Sequence, residues 1–364
     1  MASVHKVKRK SREGRSRHAW QVRYRDPGHR LRSRTFTRKA EAERFANKVE
    51  TSKAEGSYVD PRGGRVTFAE WALRWDKANP ARKPTTADAR TRLLALYVLP
   101  AFGSKQLASI RPIDVQEFVA GLEERGLSAS RVRNAYFVFK PCIEAAVTSG
   151  FIARTPCIGI KLPRSIPREM SFLSVEQVRA VAGSAPERDQ CLIYVLALGG
   201  LRWGEAVALR RGRLNLLRGR VEVREAVSEV NGCLYYGEPK SYEHRSVVLP
   251  RFVVEMLAQH MAGVGAHPRS LVFTSPEGDA LRSPNWRRRV WAPALQTAGL
   301  PATVRIHDLR HTAAALLIAQ GAHPKAIQAH LGHASITTTL DRYGHIFPDS
   351  QDEIAAALDA RFAQ

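Results

Sequence analysis

Residues 307–317 read His-Asp-Leu-Arg-His-Thr-Ala-Ala-Ala-Leu-Leu, polar and charged groups running without a break into helix formers. Such a run marks a helix beginning near Asp308, with His307 and Arg310 three apart and so on one face. Downstream, Ile336, Leu340 and Tyr343 recur at helical spacing. Working outward, residues 170–364 form a mostly helical domain that opens on the capping signal Ser174-Val175-Glu176-Gln177. Inside it, Val221-Glu222-Val223, the Asn231-Gly232 turn and Ser246 to Leu249 mark a short antiparallel sheet.

Upstream, the proline-containing, basic stretch from Pro156 to Arg168 reads as an extended linker. Before it, residues 66–160 carry Thr67 as a helix N-cap, Phe68, Trp71, Leu73 and Trp75 on the helix, and further helical patterns at 85–99, 111–124 and 128–149. Pro100, Gly103, Pro112 and Gly126 separate them, giving an all-helical bundle. Its basic positions Arg90, Arg92, Arg131, Arg133 and Lys140 are candidates for a DNA backbone, against the alternative of solvated helix charges. In residues 1–65, Trp20 to Arg25 alternates apolar with polar, Asp26-Pro27-Gly28 is a turn, and Leu31 to Phe36 alternates again before a helix over Lys39 to Val49. Alternation sets Arg23 and Arg25 on the face opposite Trp20, Val22 and Tyr24. Arg23, Arg25, Arg32 and Arg34 are the DNA-contact candidates of this part. The fold class is therefore mainly α with small β-sheets, in three domains: 1–65, 66–160 and 170–364.

Across 364 residues, 57 Lys and Arg stand against 34 Asp and Glu, a formal charge of +23. Residues 1–65 hold 19 Lys and Arg against 7 Asp and Glu, a net of +12. A surface so basic attracts polyanions, because each cation placed on a phosphate releases a condensed counterion. Double-stranded DNA is the leading partner. A membrane partner is not expected, since no run approaches the ~20 apolar residues of a spanning helix and the basic N-terminus has no signal-peptide core. Cys142, Cys157, Cys191 and Cys233 are too scattered for a disulfide framework or a cysteine zinc site, and a cytoplasmic setting follows.

Four segments in residues 170–364 place basic or nucleophilic groups where the chain bends: Gly200-Leu201-Arg202-Trp203-Gly204-Glu205, Pro239-Lys240-Ser241, His307 to His311, and Leu331-Gly332-His333, with Tyr343 ten residues on. Singly, each has an ordinary reading: an Arg202–Glu205 surface pair, a solvated turn lysine, a core tyrosine. Together they are an inventory suited to attack on a phosphodiester without metal. Arginine presents a planar fork of donors to the non-bridging oxygens, on which charge builds in the transition state, and the helix start near Asp308 adds its positive end.

The order GLRWGE, PKS followed by HRSVVLP, HDLRHTAAALL and LGHASITTTLDRYGH strongly resembles the catalytic domain of tyrosine recombinases, over about residues 200–347. Residues 1–65 more weakly resemble the arm-type DNA-binding domain of phage integrases, and 66–160 their helical, SAM-like core-binding domain. The resemblance implies Tyr343 as nucleophile, forming a 3′-phosphotyrosine, with Arg202, Arg310, His307 and His333 holding the scissile phosphate and Lys240 as general acid. Glu205 would orient the arginine, and His307 is the candidate base for the phenol. No cofactor is implied. A homotetramer on DNA is, with Ile354, Ala357, Leu358 and Phe362 spaced as an apolar stripe for a neighbour or for the chain's own domain. An accessory DNA-bending or directionality factor and a bacterial, nucleoid-associated setting are further expectations. One departure from the family stands at Arg211-Gly212-Arg213-Leu214-Asn215, where an aspartate is usual.

Three alternatives remain open. A type IB topoisomerase shares the active-site set and relaxes supercoils. A non-catalytic DNA-binding regulator would need only charge and small helical domains. A zinc hydrolase would use His307 with His311, or His330 with His333, but has Asp308 where the HExxH pattern needs its glutamate.

Overall fold

Alternation of apolar and polar residues builds the first sheet: Ser3–Lys10 (β1), Ser16–Arg25 (β2) and Leu31–Phe36 (β3) pair antiparallel in the order β1-β2-β3. The computed structural model describes residues 2–10, 16–26, 29–54, 58, 63–79, 83–166, 169–239, 244–347 and 351–362. Two compact units divide the chain, Met1–Pro167 and Arg168–Gln364.

In the first unit, the inward residues Val22 and Tyr24 pack with Ala42, Ala46 and Val49 of Lys39–Ala54 (α1), a helix five residues longer than the sequence pattern suggests. Arg23 and Arg25 lie on the exposed face, as alternation requires. The β2–β3 register pairs Val22 with Arg34 and Tyr24 with Arg32, which puts those two arginines on the other face. Arg32 meets Asp26 at 3.0 Å, and Arg34 stacks over Phe36 and Phe45. The four candidates of this sheet thus divide between two faces. The Pro27-Gly28 turn lies outside the described residues.

Phe68–Lys77 (α2) starts at Thr67, whose hydroxyl accepts from Glu70 N while the Glu70 carboxylate accepts from Thr67 N, a reciprocal cap contributing ~1 kcal/mol. Pro84–Leu93 (α3) does not stop before Pro100. It runs through a wider, i→i−5 turn at Leu94–Val98 into Leu99–Phe102 (α4), because the widened turn precedes the residue that has no N–H to donate. Pro112–Glu124 (α5) and Ala129–Thr148 (α6) complete a bundle around Phe68, Phe102, Phe118 and Phe139, each aromatic burial worth ~1.5–3 kcal/mol. The Trp71 indole N–H donates to Cys142 O at 2.7 Å.

The second unit is built round Glu187–Gly199 (α8), a helix buried on most sides between Val175–Gly183 (α7), Arg251–His260 (α10) and Asp308–Ala319 (α13). The expected Ser174–Gln177 cap is present. Between α8 and α10 lie the short helix Trp203–Ala206 (α9) and five strands: Leu214–Asn215 (β4), Arg220–Val223 (β5), Ala226–Val230 (β6), Cys233–Gly237 (β7) and Arg245–Val248 (β8). They make two sheets rather than one. β5 pairs with β4 and β8, while the Asn231-Gly232 turn closes a separate β6–β7 hairpin. At the family's departure, Asn215 Oδ1 caps a short turn by accepting from Arg218 N.

Ser283–Trp286 (α11) and Ala292–Thr297 (α12) are joined through a second widened turn, Arg287–Trp291, again just before a proline, Pro293. Pro324–Leu331 (α14) and Ile336–Tyr343 (α15) pack on each other, and α14 also meets α13. Gln351–Phe362 (α16) ends the described chain with Leu358 and Phe362 exposed; Ile354 and Ala357 lie outside the described side chains.

Candidate active site

The site is assembled where the C-terminal end of α8, the N-terminal end of α13 and the segment from α14 to α15 meet. Helix α8 ends on Gly200 in the left-handed conformation, φ 61°, and a β-carbon there would lie 2.6 Å from Leu331 Cδ2. Only glycine allows both the turn and the close approach. The carbonyl that this turn exposes accepts from Arg310 Nη1 at 2.6 Å, and Leu331 O accepts from Arg310 Nη2 at 2.7 Å. Arg310 is 3% exposed, so its guanidinium is fixed by two carbonyls in a desolvated pocket. Burial, then the neighbouring Arg202, lowers its pKa to about 9, with Glu205 opposing.

Arg202 sits at the start of α9. Its Nη1 donates to Glu205 Oε1 at 2.7 Å, and its backbone N–H to Glu205 Oε2 at 2.9 Å. The expected Arg202–Glu205 pair is therefore present, but Glu205 is buried and serves a second cation: Arg245 Nη2 donates to Glu205 Oε2 at 2.7 Å. Burial by itself would raise the Glu205 carboxyl; Arg245 and Arg202 overcome it and hold the pKa at about 2. Arg245 Nε also donates to His330 O at 3.0 Å. Its side chain fills the space beside Gly332, φ 66°, where a β-carbon would lie 2.8 Å from Arg245 Cδ.

His333 follows that glycine. Its Nδ1 is 2.9 Å from Thr339 Oγ1, and its ring lies nearly parallel to Tyr343, 13° between planes and 6.3 Å between centroids. Burial and then Arg310, Arg202, Arg342 and Arg245 lower its pKa to about 3, leaving a neutral imidazole. His307 stands exposed at the start of α13. Its pKa is lowered by its packed side and then by Arg310, Arg202 and Arg305, with Asp308 opposing. Its contact with solvent weakens both contributions. Asp308 accepts from the Arg305 backbone N–H at 2.7 Å and pairs with its guanidinium.

Tyr343 is wholly buried at the end of α15, in a small cluster with Ala314, Ile318, Ile327 and Leu331. The stripe that packs is Thr339 with Tyr343; Leu340, which the spacing had joined to Tyr343, is 44% exposed. The Tyr343 hydroxyl meets His311 Nδ1 at 2.8 Å, not His307. Burial raises its pKa, while Arg310, Arg342 and Arg202 pull the other way.

The structure thus brings together Arg202, Glu205, His307, Arg310, His333 and Tyr343. Lys240 lies outside the described residues. Reading the sequence missed Arg245 and His311 as members of the site. The i, i+4 spacing of His311 from His307 is a usable signal that equally suits a metal pair; Arg245, the first residue of β8 and part of the HRSVVLP segment, carries no local mark of its reach to Glu205. Among the described residues no three His, Cys, Asp or Glu side chains are grouped to hold a metal, and no helix is long and apolar enough to cross a membrane.

In the first unit the structure removes one candidate. Arg90 is 7% exposed, paired with Asp76 and stacked over Trp75, because its aliphatic stem and guanidinium complete the bundle core rather than a surface. Arg92 and Arg131 are exposed, Arg92 beside Asp88. Arg133 is half-buried, donates to Pro163 O and stacks on Phe137, while Lys140 pairs with Glu144 at 3.7 Å.

Residues 171–349 match the family model described as Phage integrase family, and 67–122 the model Phage integrase, N-terminal SAM-like domain. The chain is 28% identical to the putative prophage phiRv2 integrase of Mycobacterium tuberculosis over 353 residues, 93% of this chain and 92% of that one. It is 26% identical to the ICEBs1 integrase of Bacillus subtilis, over 76% of this chain and 78% of the relative. Among solved structures, the Tn1549 transposon integrase in complex with transposon right end DNA superposes with a TM-score of 0.70 at 20% identity, covering 82% of this chain and 100% of that one. A lambda integrase tetramer bound to a Holliday junction gives 0.60 at 17% identity, covering 91% and 93%.

Proposed function

We propose, for a chain that belongs to the phage integrase family of tyrosine recombinases, that Tyr343 is the nucleophile with which it cuts and rejoins DNA. The chain is a site-specific DNA recombinase. Attack of the Tyr343 oxygen on phosphorus makes a 3′-phosphotyrosine and releases a 5′-hydroxyl, and the attack of that hydroxyl on the tyrosyl ester reseals the strand. The ester keeps the energy of the original bond, so resealing needs no ATP.

The observation that carries this reading is the buried Arg310 and the half-buried Arg202 beside a buried phenol. Arg310 is held by neutral carbonyls and Arg202 shares the Glu205 carboxylate with Arg245, so these groups leave the pocket a net positive charge. A phosphodiester entering it meets fixed donors that need no reorganisation as charge builds on its oxygens. His307 and His333 complete the cradle as neutral donors, Glu205 orients Arg202, and Lys240 protonates the leaving 5′-oxygen. Exposed Arg23, Arg25, Arg92 and Arg131 grip the DNA backbone. Residues 1–65 bind arm-type sites, 66–160 the core site and 170–364 do the chemistry.

The relatives support the biological setting. They are integrases of a prophage and of ICEBs1, so this chain integrates or excises a phage or other mobile element in a bacterial cell. By likeness to the lambda assembly it acts as a tetramer, with an accessory DNA-bending or directionality factor setting the outcome. Mapping the junctions of the element with its host gives the substrate. On a nicked duplex carrying such a junction, wild-type protein is expected to form a denaturation-resistant adduct, and Tyr343→Phe to bind equally but form none. An adduct in the mutant, or relaxation of supercoiled DNA without exchange between two sites, reverses the reading.

A further inference from the structure

We propose that His311 is a catalytic residue: its Nδ1 takes the proton of the Tyr343 hydroxyl as that oxygen attacks the DNA phosphate, and returns it when the strand is resealed. This rests on the reading of Tyr343 as nucleophile.

Helical register explains why His311, and not His307, reaches the phenol. His307, Arg310 and His311 share one face of the first turn of α13. His307 projects at the exposed start of the helix, while His311, one turn further in, is 4% exposed and faces the end of α15. The two imidazoles stand edge to face at 4.9 Å between centroids, and only the inner one holds the hydroxyl, at 2.8 Å. That distance is already within reach for proton transfer.

The electrostatics suit an acceptor. The groups that face His311 are His307 and Asp308 on its own helix, Arg305 before it, and Tyr343 and Arg342 on α15. Burial, then His307, with Arg342 and Arg305 adding and Asp308 opposing, lowers its pKa to about 4, so at neutral pH the ring is uncharged and able to accept. Burial raises the phenol's own pKa, so it does not ionise unaided. A phosphate bound between the arginines supplies the negative charge that favours the imidazolium. The step balances: the phenol proton goes to Nδ1, the Tyr343 O–P bond forms, the P–O5′ bond breaks, and the departing 5′-oxygen is protonated by the general acid.

A tyrosine–histidine contact that merely packs two helices makes different predictions. With full-length protein on the nicked junction duplex, His311→Ala is expected to slow adduct formation by roughly 10²-fold or more, the lower range for a lost general base. Added imidazole should restore most of that rate. His311→Gln keeps a hydrogen-bond acceptor but no useful basicity, so it should be as slow as the alanine variant and unmoved by imidazole. A thermal melt near wild type shows that each variant is folded; if His311→Ala fails there, His311→Gln decides. A wild-type rate in His311→Gln, or no imidazole rescue of a folded His311→Ala, overturns the proposal. Tyr343→Phe run alongside separates the two readings: silent, it leaves Tyr343 as nucleophile even where the His311 variants overturn the base; active, it removes both.

Discussion

Two buried guanidiniums, one in each unit, look alike in the sequence and differ in what holds them. Arg90 is neutralised by the Asp76 carboxylate and covered by the Trp75 ring. Arg310 is held by the carbonyls of Gly200 and Leu331, which fix its position and leave its charge uncancelled. The kind of partner therefore separates a cation that completes a core from one that waits for an anion. The exposed arginines Arg23, Arg25, Arg92 and Arg131 are a third kind, on the surface and screened by salt.

The largest expected effect tests Lys240, which lies outside the described residues. Lys240→Ala should slow cleavage by roughly 10²–10⁴-fold, as for a lost general acid, with binding almost unchanged. A substrate with sulfur at the bridging 5′ position leaves without a proton and should recover most of that loss. Arg202→Ala, which removes stabilisation of the non-bridging oxygens, should recover far less. Equal recovery in both would show that Lys240 is not the acid.

Next, conservative replacement at the two buried arginines should split. Arg310→Lys loses the fork geometry and should reduce adduct formation by roughly 10²–10³-fold, as when one oxyanion donor is lost. Arg90→Met should leave cleavage alone and destabilise the first unit by on the order of 1–3 kcal/mol, by leaving Asp76 without its partner. Unfolding curves and single-turnover rates on the two variants check this. A rate defect in Arg90→Met with intact stability would break the contrast.

Removing residues 1–65 takes away +12 of charge and should flatten the dependence of DNA affinity on salt, while core-site cleavage largely survives. Equal slopes for full-length and truncated protein would show that the exposed arginines of this sheet do not grip DNA.

The smallest effect is on stability against pH. His307, His311 and His333 all have pKa values lowered by folding, so the unfolded chain binds more protons below about pH 6.5. Their contribution is present in full above that pH and is lost as pH falls toward 4 and 3. The melting temperature should drop between pH 7.5 and 5, and less so in His311→Gln. An identical drop in that variant would place the titrating groups elsewhere.

How much of this was legible follows from what is local. Helix α13, the Thr67 and Ser174 caps and the Asn231-Gly232 hairpin rest on neighbours in sequence and were readable from it. The helix through Pro100 was not, because a widened turn compensates for the proline and no residue type marks it. Arg202, Glu205, His307, Arg310, His333 and Tyr343, which lie together in the structure, were legible as an inventory with a family's order. Its geometry was not: Arg245 reaches Glu205 from 40 residues away. The pairing of Tyr343 with His311 depends on how α15 lies on α13.

Arg310 has one more consequence. A cation kept dry with carbonyls as its hydrogen-bond partners and Glu205 acting on it less than burial does leaves the second unit with a desolvation penalty offset only in part. An anion seated on that guanidinium cancels the imbalance, so the unbound fold is the less stable one and its substrate completes it. Duplex DNA at a hundred times its dissociation constant should stabilise the unit by about 2.7 kcal/mol through binding linkage alone. The same arginine, replaced by an uncharged residue, would lift that penalty from the free protein and shrink the increment that DNA adds, so catalytic loss at position 310 is interpretable only beside a melt taken with and without DNA.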